Sequence, residues 1–336
     1  MTPSVDAQRL LNGFRVYQMV VAASRLKIPD LVAAGPKTAE EMAASTETHG
    51  PSLRRMLRAL TSWSFLEEQP DGRFAATPLS DNFRWDKLGL RNMVIMLSEE
   101  GYQAWGELMF TLRTGKPAYN HLYGKSHFER LAEHPDLSAN FNAAMVELST
   151  RVAESFVEAY DFGGVRTAVD VAGGNGALLQ AVLQAQPKMR GILFDLAQGL
   201  AGAQEKLVAA GVADRVTLQE GSFFETVPSG GDLYLLKSIV HDWDDESALA
   251  ILQTCRRAMS AQAKLVLLER KLAERFENPD DALLPLMGDV HMMVVLGGKE
   301  RTTDEYRNLL GQAGLRMTRE IPTTSGFAAV EAVVAS

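Results

Sequence analysis

Apolar residues recur at helical spacing along the first part of the chain. Leu10, Leu11, Phe14, Tyr17, Val20 and Val21 share one face of a helical stretch over residues 7–34. Lys27-Ile28-Pro29 interrupts that spacing and starts a short second helix. Thr38, followed by Glu40 and Glu41, reads as a capped helix start, and Pro51-Ser52 opens a further helix carrying Leu53, Met56, Leu57 and Leu60. Two short alternating runs, 65–68 and 73–76, flank Asp71-Gly72, which is a hairpin signal. Helices followed by a hairpin make a winged-helix pattern over residues 1–90. Residues 91–160 are helical again, with breaks at Pro117 and Pro135.

From residue 167 the rhythm changes. Short apolar runs at 167–171, 190–194, 214–218, 232–240 and 264–269 alternate with longer helical stretches, and paired runs follow at 316–320 and 327–334. That alternation predicts an α/β, doubly wound, Rossmann-like domain over 161–336, with helices on both faces of a mostly parallel sheet. The boundary falls near Asp161-Phe162-Gly163-Gly164.

Composition narrows the function classes. A chain of 336 residues suits two domains, and 46% hydrophobic with 23% charged residues is a globular profile. The formal net charge of −8 makes nucleic acid a poor partner, because phosphate binding depends on basic surface. Arg54, Arg55 and Arg58 on the third helix of the wing therefore read as a solvated face, and the long apolar helices around it favour a dimer interface. Cys255 is the only cysteine, which rules out an internal disulfide and a cysteine zinc site and fits the cytoplasm. The N-terminus lacks the basic-then-apolar pattern of a signal peptide, and no membrane span is expected.

In an open doubly wound sheet, ligands bind beyond the carboxyl ends of the strands. The first strand ends in Asp170-Val171-Ala172-Gly173-Gly174-Asn175-Gly176. Counted from Gly174, the third glycine of a dinucleotide fingerprint falls on Leu179, so that fingerprint fails. An acidic residue ahead of the glycines is instead the pattern used for S-adenosylmethionine (SAM). Asp195 ends the second strand and serves either as acceptor for a ribose diol or as a helix cap. The third strand leads to Ser222, Phe223 and Phe224, where an aromatic can stack on adenine and one of the two rings belongs to the core. His241-Asp242-Trp243 follow the fourth strand, and an imidazole there can take a proton near neutral pH. Glu269 ends the fifth strand, and Glu300 follows Gly297-Gly298; each is a candidate to hold the other ring nitrogen of His241. Asp242, Asp244, Asp245 and Glu246 lie on a loop and a first helical turn, where acids suit the helix dipole, so no metal is expected.

These residues carry a resemblance. Leu236-Lys237-Ser238-Ile239-Val240-His241-Asp242-Trp243-Asp244-Asp245-Glu246 is the most specific stretch, supported by Phe141–Met145, Asp170–Gly176 and Gly297–Thr302. The chain resembles the caffeate/hydroxyindole type of SAM-dependent O-methyltransferases over nearly its whole length. The resemblance implies a homodimer formed through the winged helix, and a helical linker at 91–160 that contributes to the acceptor pocket. It implies SAM contacts from Ser149, Gly173, Gly174, Asp195, Leu196, Ser222, Phe223 and Lys237. His241 would be the general base, oriented by Glu269 and Glu300. Phe141, Met145, His291 and Met292 would line the site of a small aromatic or polyketide-like acceptor, with Trp105, Phe128 and Met293 as further lining. His291 is either a polar contact to that acceptor or a packed histidine. Two departures stand out: Ala172 occupies a position usually held by glycine, and Ser222 one often held by aspartate. Nitrogen methylation, a non-methylating use of SAM, and a SAM-sensing DNA-binding regulator are the alternative readings.

Overall fold

The structure, a computed structural model, describes residues 3–335, the first three of them by backbone alone. The chain forms two compact units. One holds the residues up to Tyr102 together with Pro135–Glu147; the other holds Gln103–His134 and the chain from Leu148 onward. The 91–160 segment is thus shared between them, and its last helix, Pro135–Ala159, runs through both.

In the first unit, the helices Pro3–Arg25, Ile28–Ala33, Ala39–Thr46 and Gly50–Thr61 precede an antiparallel hairpin of β1 (Leu66–Glu68) and β2 (Phe74–Ala76). Thr38 and Glu41 close a capping box: Thr38 Oγ1 accepts from the Glu41 amide at 3.1 Å, and Glu41 Oε2 accepts from the Thr38 amide at 2.7 Å. Ile28, Met42, Leu57, Leu60, Phe65 and Phe74 form the core, and of these Leu57 and Leu60 come from the expected helical run and Phe65 and Phe74 from the expected hairpin runs. Arg54, Arg55 and Arg58 are exposed. Leu10, Leu11 and Phe14 are exposed at 84%, 74% and 56%, leaving one apolar stripe of the first helix uncovered by this chain.

The second unit is built on a seven-stranded sheet. Its strands are β3 (Thr167–Val171), β4 (Arg190–Asp195), β5 (Val216–Glu220), β6 (Leu233–Lys237), β7 (Lys264–Glu269), β10 (Leu315–Pro322) and β11 (Ala328–Val334). A separate two-residue pair is formed by β8 (Lys271–Leu272) and β9 (Arg301–Thr302). The order is β10-β11-β7-β6-β3-β4-β5, parallel from β7 to β5, with β10 and β11 antiparallel at one edge. The chain steps outward from β3 to β5 and then returns to the other side of β3. The reversal places the ends of β3 and β6 at the crevice where such sheets take ligands. Both faces are covered. Val169, Val171, Leu265 and Leu267 pack with Ile251, Leu252, Leu309 and Leu310 on one side. Ala168, Leu235, Val266 and Leu268 pack with Leu179, Val182 and Leu183 on the other.

Three details differ from the sequence pattern. β5 starts at Val216 because Ala213–Arg215 forms a 3-10 turn, whose Arg215 donates to the carbonyls of Leu183, Gln186 and Met189. β6 ends at Lys237 instead of running to Val240: Ser238 turns into the left-handed region at φ 55°, and a 3-10 turn, Val240–Asp242, carries His241. The β8–β9 pair was not foreseen. Among the described residues, no helix is long and apolar enough to cross a membrane.

Candidate active site

The turn after β3 is shaped around a buried carboxylate. Asp170 accepts from the Leu179 amide at 3.3 Å. Burial pushes its pKa up to about 7, opposed by Lys237. A Cβ at Gly173 would lie 2.5 Å from that carboxyl and from Leu193, so only glycine lets the loop settle there. Gly174 has open space beside it, and its amide donates to Asp195 Oδ2 at 2.8 Å. Asp195 Oδ1 accepts from the Leu196 amide at 2.7 Å. Each carboxylate oxygen therefore retains a lone pair for a further donor.

Around the next strand ends, Ser222 Oγ accepts from the Phe224 amide at 3.3 Å. Phe223 packs partly against the core, while Phe224 is 42% exposed. Both rings meet Trp243 edge-on, and Phe128 stacks on the same indole. Lys237 closes β6. Burial lowers the pKa of its ammonium against the pull of Glu269, Asp170 and Asp242. Ser149 is buried on Pro135–Ala159, and Phe141 and Met145 precede it at four-residue spacing on the same helix face, within the first unit.

His241 is surrounded by carboxylates. Its Nδ1 lies 3.0 Å from Glu300 Oε1, and its Nε2 lies 3.2 Å from Asp242 Oδ1. Glu269 stands further off, with Oε2 at 3.8 Å from Nδ1, while its Oε1 accepts from the amides of Ile239 and Val240 at 3.1 and 2.9 Å. Glu300 thus meets the ring, and Glu269 holds the turn that presents it. Burial works against a charged imidazole, but Glu269, Asp242 and Glu300 outweigh it and push the pKa up to about 10. Burial also raises Glu269 to about 7 and Asp242 to about 6, in each case against the opposing pull of His241. Nδ1 is hydrogen-bonded to Glu300, Nε2 faces Asp242 as an ion-pair contact, and the surrounding carboxylates together favour the protonated ring.

Arg301 escaped the sequence reading except as part of a motif. It is fully buried, donates to the carbonyls of Val240 and Trp243 at 2.9 and 3.0 Å, and pairs with Asp245 at 2.8 Å. Its contacts bracket His241 on both sides along the chain. The acids Asp242 to Glu246 accordingly do separate work: Asp242 faces His241, Asp244 caps a helix by accepting from the Ser247 amide, and Asp245 holds Arg301.

His291 and Met292 lie half-buried on the helix Pro279–Val295. Trp105 Nε1 donates to His291 Nδ1 at 3.0 Å. Trp105 and Met293 pack against a separate apolar cluster with Tyr119, Val294 and Val295.

Residues 105–316 match the O-methyltransferase domain, and residues 8–84 match the O-methyltransferase dimerisation domain. The chain is 40% identical to the phenazine O-methyltransferase of Lysobacter antibioticus, over 96% of this chain and 94% of the relative. It is 38% identical to the O-demethylpuromycin-O-methyltransferase of Streptomyces alboniger, over 96% and 87%. The chain belongs to the SAM-dependent O-methyltransferase family. A family O-methyltransferase from neocarzinostatin biosynthesis, solved with SAM and 2-hydroxy-5-methyl naphthoic acid, superposes with a TM-score of 0.83 at 32% identity over 95% of each chain. The family also includes the 8-amino-8-demethylriboflavin N,N-dimethyltransferase of Streptomyces davaonensis, at 32% identity over 97% of this chain and 94% of the relative.

As members of this family, these enzymes use SAM and form homodimers through the matched N-terminal domain, which contains the exposed stripe of Leu10, Leu11 and Phe14. The residues present fit the cofactor. Asp195 retains acceptor capacity beside the open flank of Gly174, and Phe224 offers an exposed ring face nearby in sequence to Ser222.

Proposed function

We propose that this enzyme methylates a hydroxyl on a small aromatic acceptor, with His241 as general base. The reading is carried by the contact between His241 Nδ1 and Glu300 Oε1, which fixes the ring and directs Nε2 away from that carboxylate. SAM supplies an electrophilic methyl group on a cationic sulfur. Asp195 would hold its ribose, Gly174, Ser149 and Lys237 its amino-acid end, and Leu196, Ser222 and Phe223 its adenosine; Gly173 would shape the loop. An acceptor hydroxyl that displaces Asp242 from Nε2 takes that oxygen's place on the ring. The Nε2 proton passes to the departing Asp242 carboxylate, which leaves a lone pair on Nε2 to accept the hydroxyl's proton. Alignment contributes up to ~7–11 kcal/mol to such a displacement. Met292 supplies apolar surface for the acceptor ring, as do Phe141 and Met145 on the strength of the sequence pattern.

The test is direct. Incubation with SAM and a panel of phenols, naphthoates, phenazines and aminobenzoates should give a product heavier by one methyl group, with demethylated cofactor appearing in step. His241→Gln should lower turnover by about 10²–10⁴-fold while leaving SAM affinity nearly unchanged. Equal turnover would remove His241 from the role. Nitrogen methylation is the second reading, favoured by the N,N-dimethyltransferase relative. Methyl transfer to arylamines but not to phenols would select it.

A further inference from the structure

His291 has a fixed tautomer, and this determines what it can recognise. Gly288, His291 and Met292 share one face of the helix Pro279–Val295. A Cβ placed on Gly288 would lie 3.5 Å from Glu300 Oε1, the same oxygen that holds His241 Nδ1. Asp289 on this helix also accepts from the Glu300 amide at 2.9 Å. The face bearing His291 therefore looks toward the His241–Glu300 pair.

On its other flank, His291 Nδ1 lies 3.0 Å from Trp105 Nε1, with the two rings within 20° of parallel. An indole N–H can only donate. Nδ1 must therefore carry a lone pair, and the single ring proton sits on Nε2. A charged ring would set two N–H groups against each other. In agreement, burial, with His127 and His241 adding to it, holds the imidazole's pKa down to about 4. Nε2 finds no hydrogen-bond partner among the described residues, and His291 keeps part of its surface accessible.

We propose that the Nε2–H of His291 is a permanent donor that selects aromatic acceptors carrying a hydrogen-bond-accepting atom, a ring nitrogen or a carbonyl oxygen, apart from the atom that is methylated. The proposal rests on the function proposed above and names the acceptor class of that site. An acceptor molecule with a C–H edge at that place leaves a desolvated donor unpaired, which penalises it.

The probes are 1-hydroxyphenazine and 1-hydroxyanthracene, which share a three-ring outline and differ by ring nitrogen in place of C–H. Dissociation constants are read from tryptophan fluorescence with S-adenosylhomocysteine present, and methyl transfer is followed separately. The wild-type enzyme should bind the phenazine at least about fivefold more tightly. His291→Phe should bring the two within about twofold by weakening only the phenazine, and His291→Gln, which restores an N–H donor, should recover the preference. Equal binding by the wild type, or a preference that survives His291→Phe, overturns the proposal. A preference that collapses as described, without methyl transfer to either probe, upholds the recognition and counts against the methylation reading instead.

Discussion

Arg301 donates through Nη1 to the carbonyl oxygen of Val240 at 2.9 Å, from a position with no exposed surface. With its second bond to Trp243, it pins the turn that carries His241. Arg301→Met, which has no N–H donor, would leave buried carbonyls without donors, at about 1–3 kcal/mol each. We expect a melting temperature lower by several degrees, and turnover reduced by about tenfold or more, with SAM affinity within about threefold of wild type. Calorimetry and steady-state rates check this; unchanged turnover would reduce Arg301 to a role in stability alone.

The two ring nitrogens of His241 both face carboxylates, and its pKa is raised to about 10. The basic form therefore grows as pH rises, so kcat/KM should climb on the alkaline side. Asp242 is one of the charges that raises this pKa. Asp242→Asn should move the rising limb to lower pH, by about 1–3 units. A limb at the same pH in both enzymes would show that another group titrates.

Ala172 adopts φ 55°, a region that disfavours side chains with a Cβ. Ala172→Gly removes that penalty and returns part of it as unfolded-chain entropy. The net expectation is a stabilisation of about 0.5–1 kcal/mol in thermal unfolding, with SAM binding retained. A lower melting temperature would show that the methyl group contributes packing that outweighs the strain.

His241, Glu269 and Glu300 bring ligand-type atoms within 4.8 Å of one another, as a divalent ion would require. Their contacts are already those of hydrogen bonds: Nδ1 to Oε1 at 3.0 Å, and Glu269 Oε1 to two backbone amides. Turnover in EDTA should equal that in untreated enzyme. A loss restored by added Mg²⁺ or Zn²⁺ would assign this trio to a metal.

The sheet was legible because strands covered on both faces leave unbroken apolar runs, as in Leu233–Leu236 and Leu265–Leu268. The capping box at Thr38 was legible because its partner Glu41 lies three residues away. What stayed hidden depends on contacts distant in sequence. β6 stops at Lys237 because Glu269 captures two amides beyond it. The burial of Arg301 comes from carbonyls about sixty positions earlier, and the tautomer of His291 from an indole on a separate helix. Asp242 was grouped with its acidic neighbours, since the turn that aims it at His241 leaves no periodic signal.

A crystal structure with S-adenosylhomocysteine and a methylatable phenol would test the account most directly. The phenol oxygen should lie within about 3.2 Å of His241 Nε2, with Asp242 displaced from that nitrogen and Asp195 on the ribose. A phenol oxygen bonded elsewhere, with Asp242 still on Nε2, would contradict it.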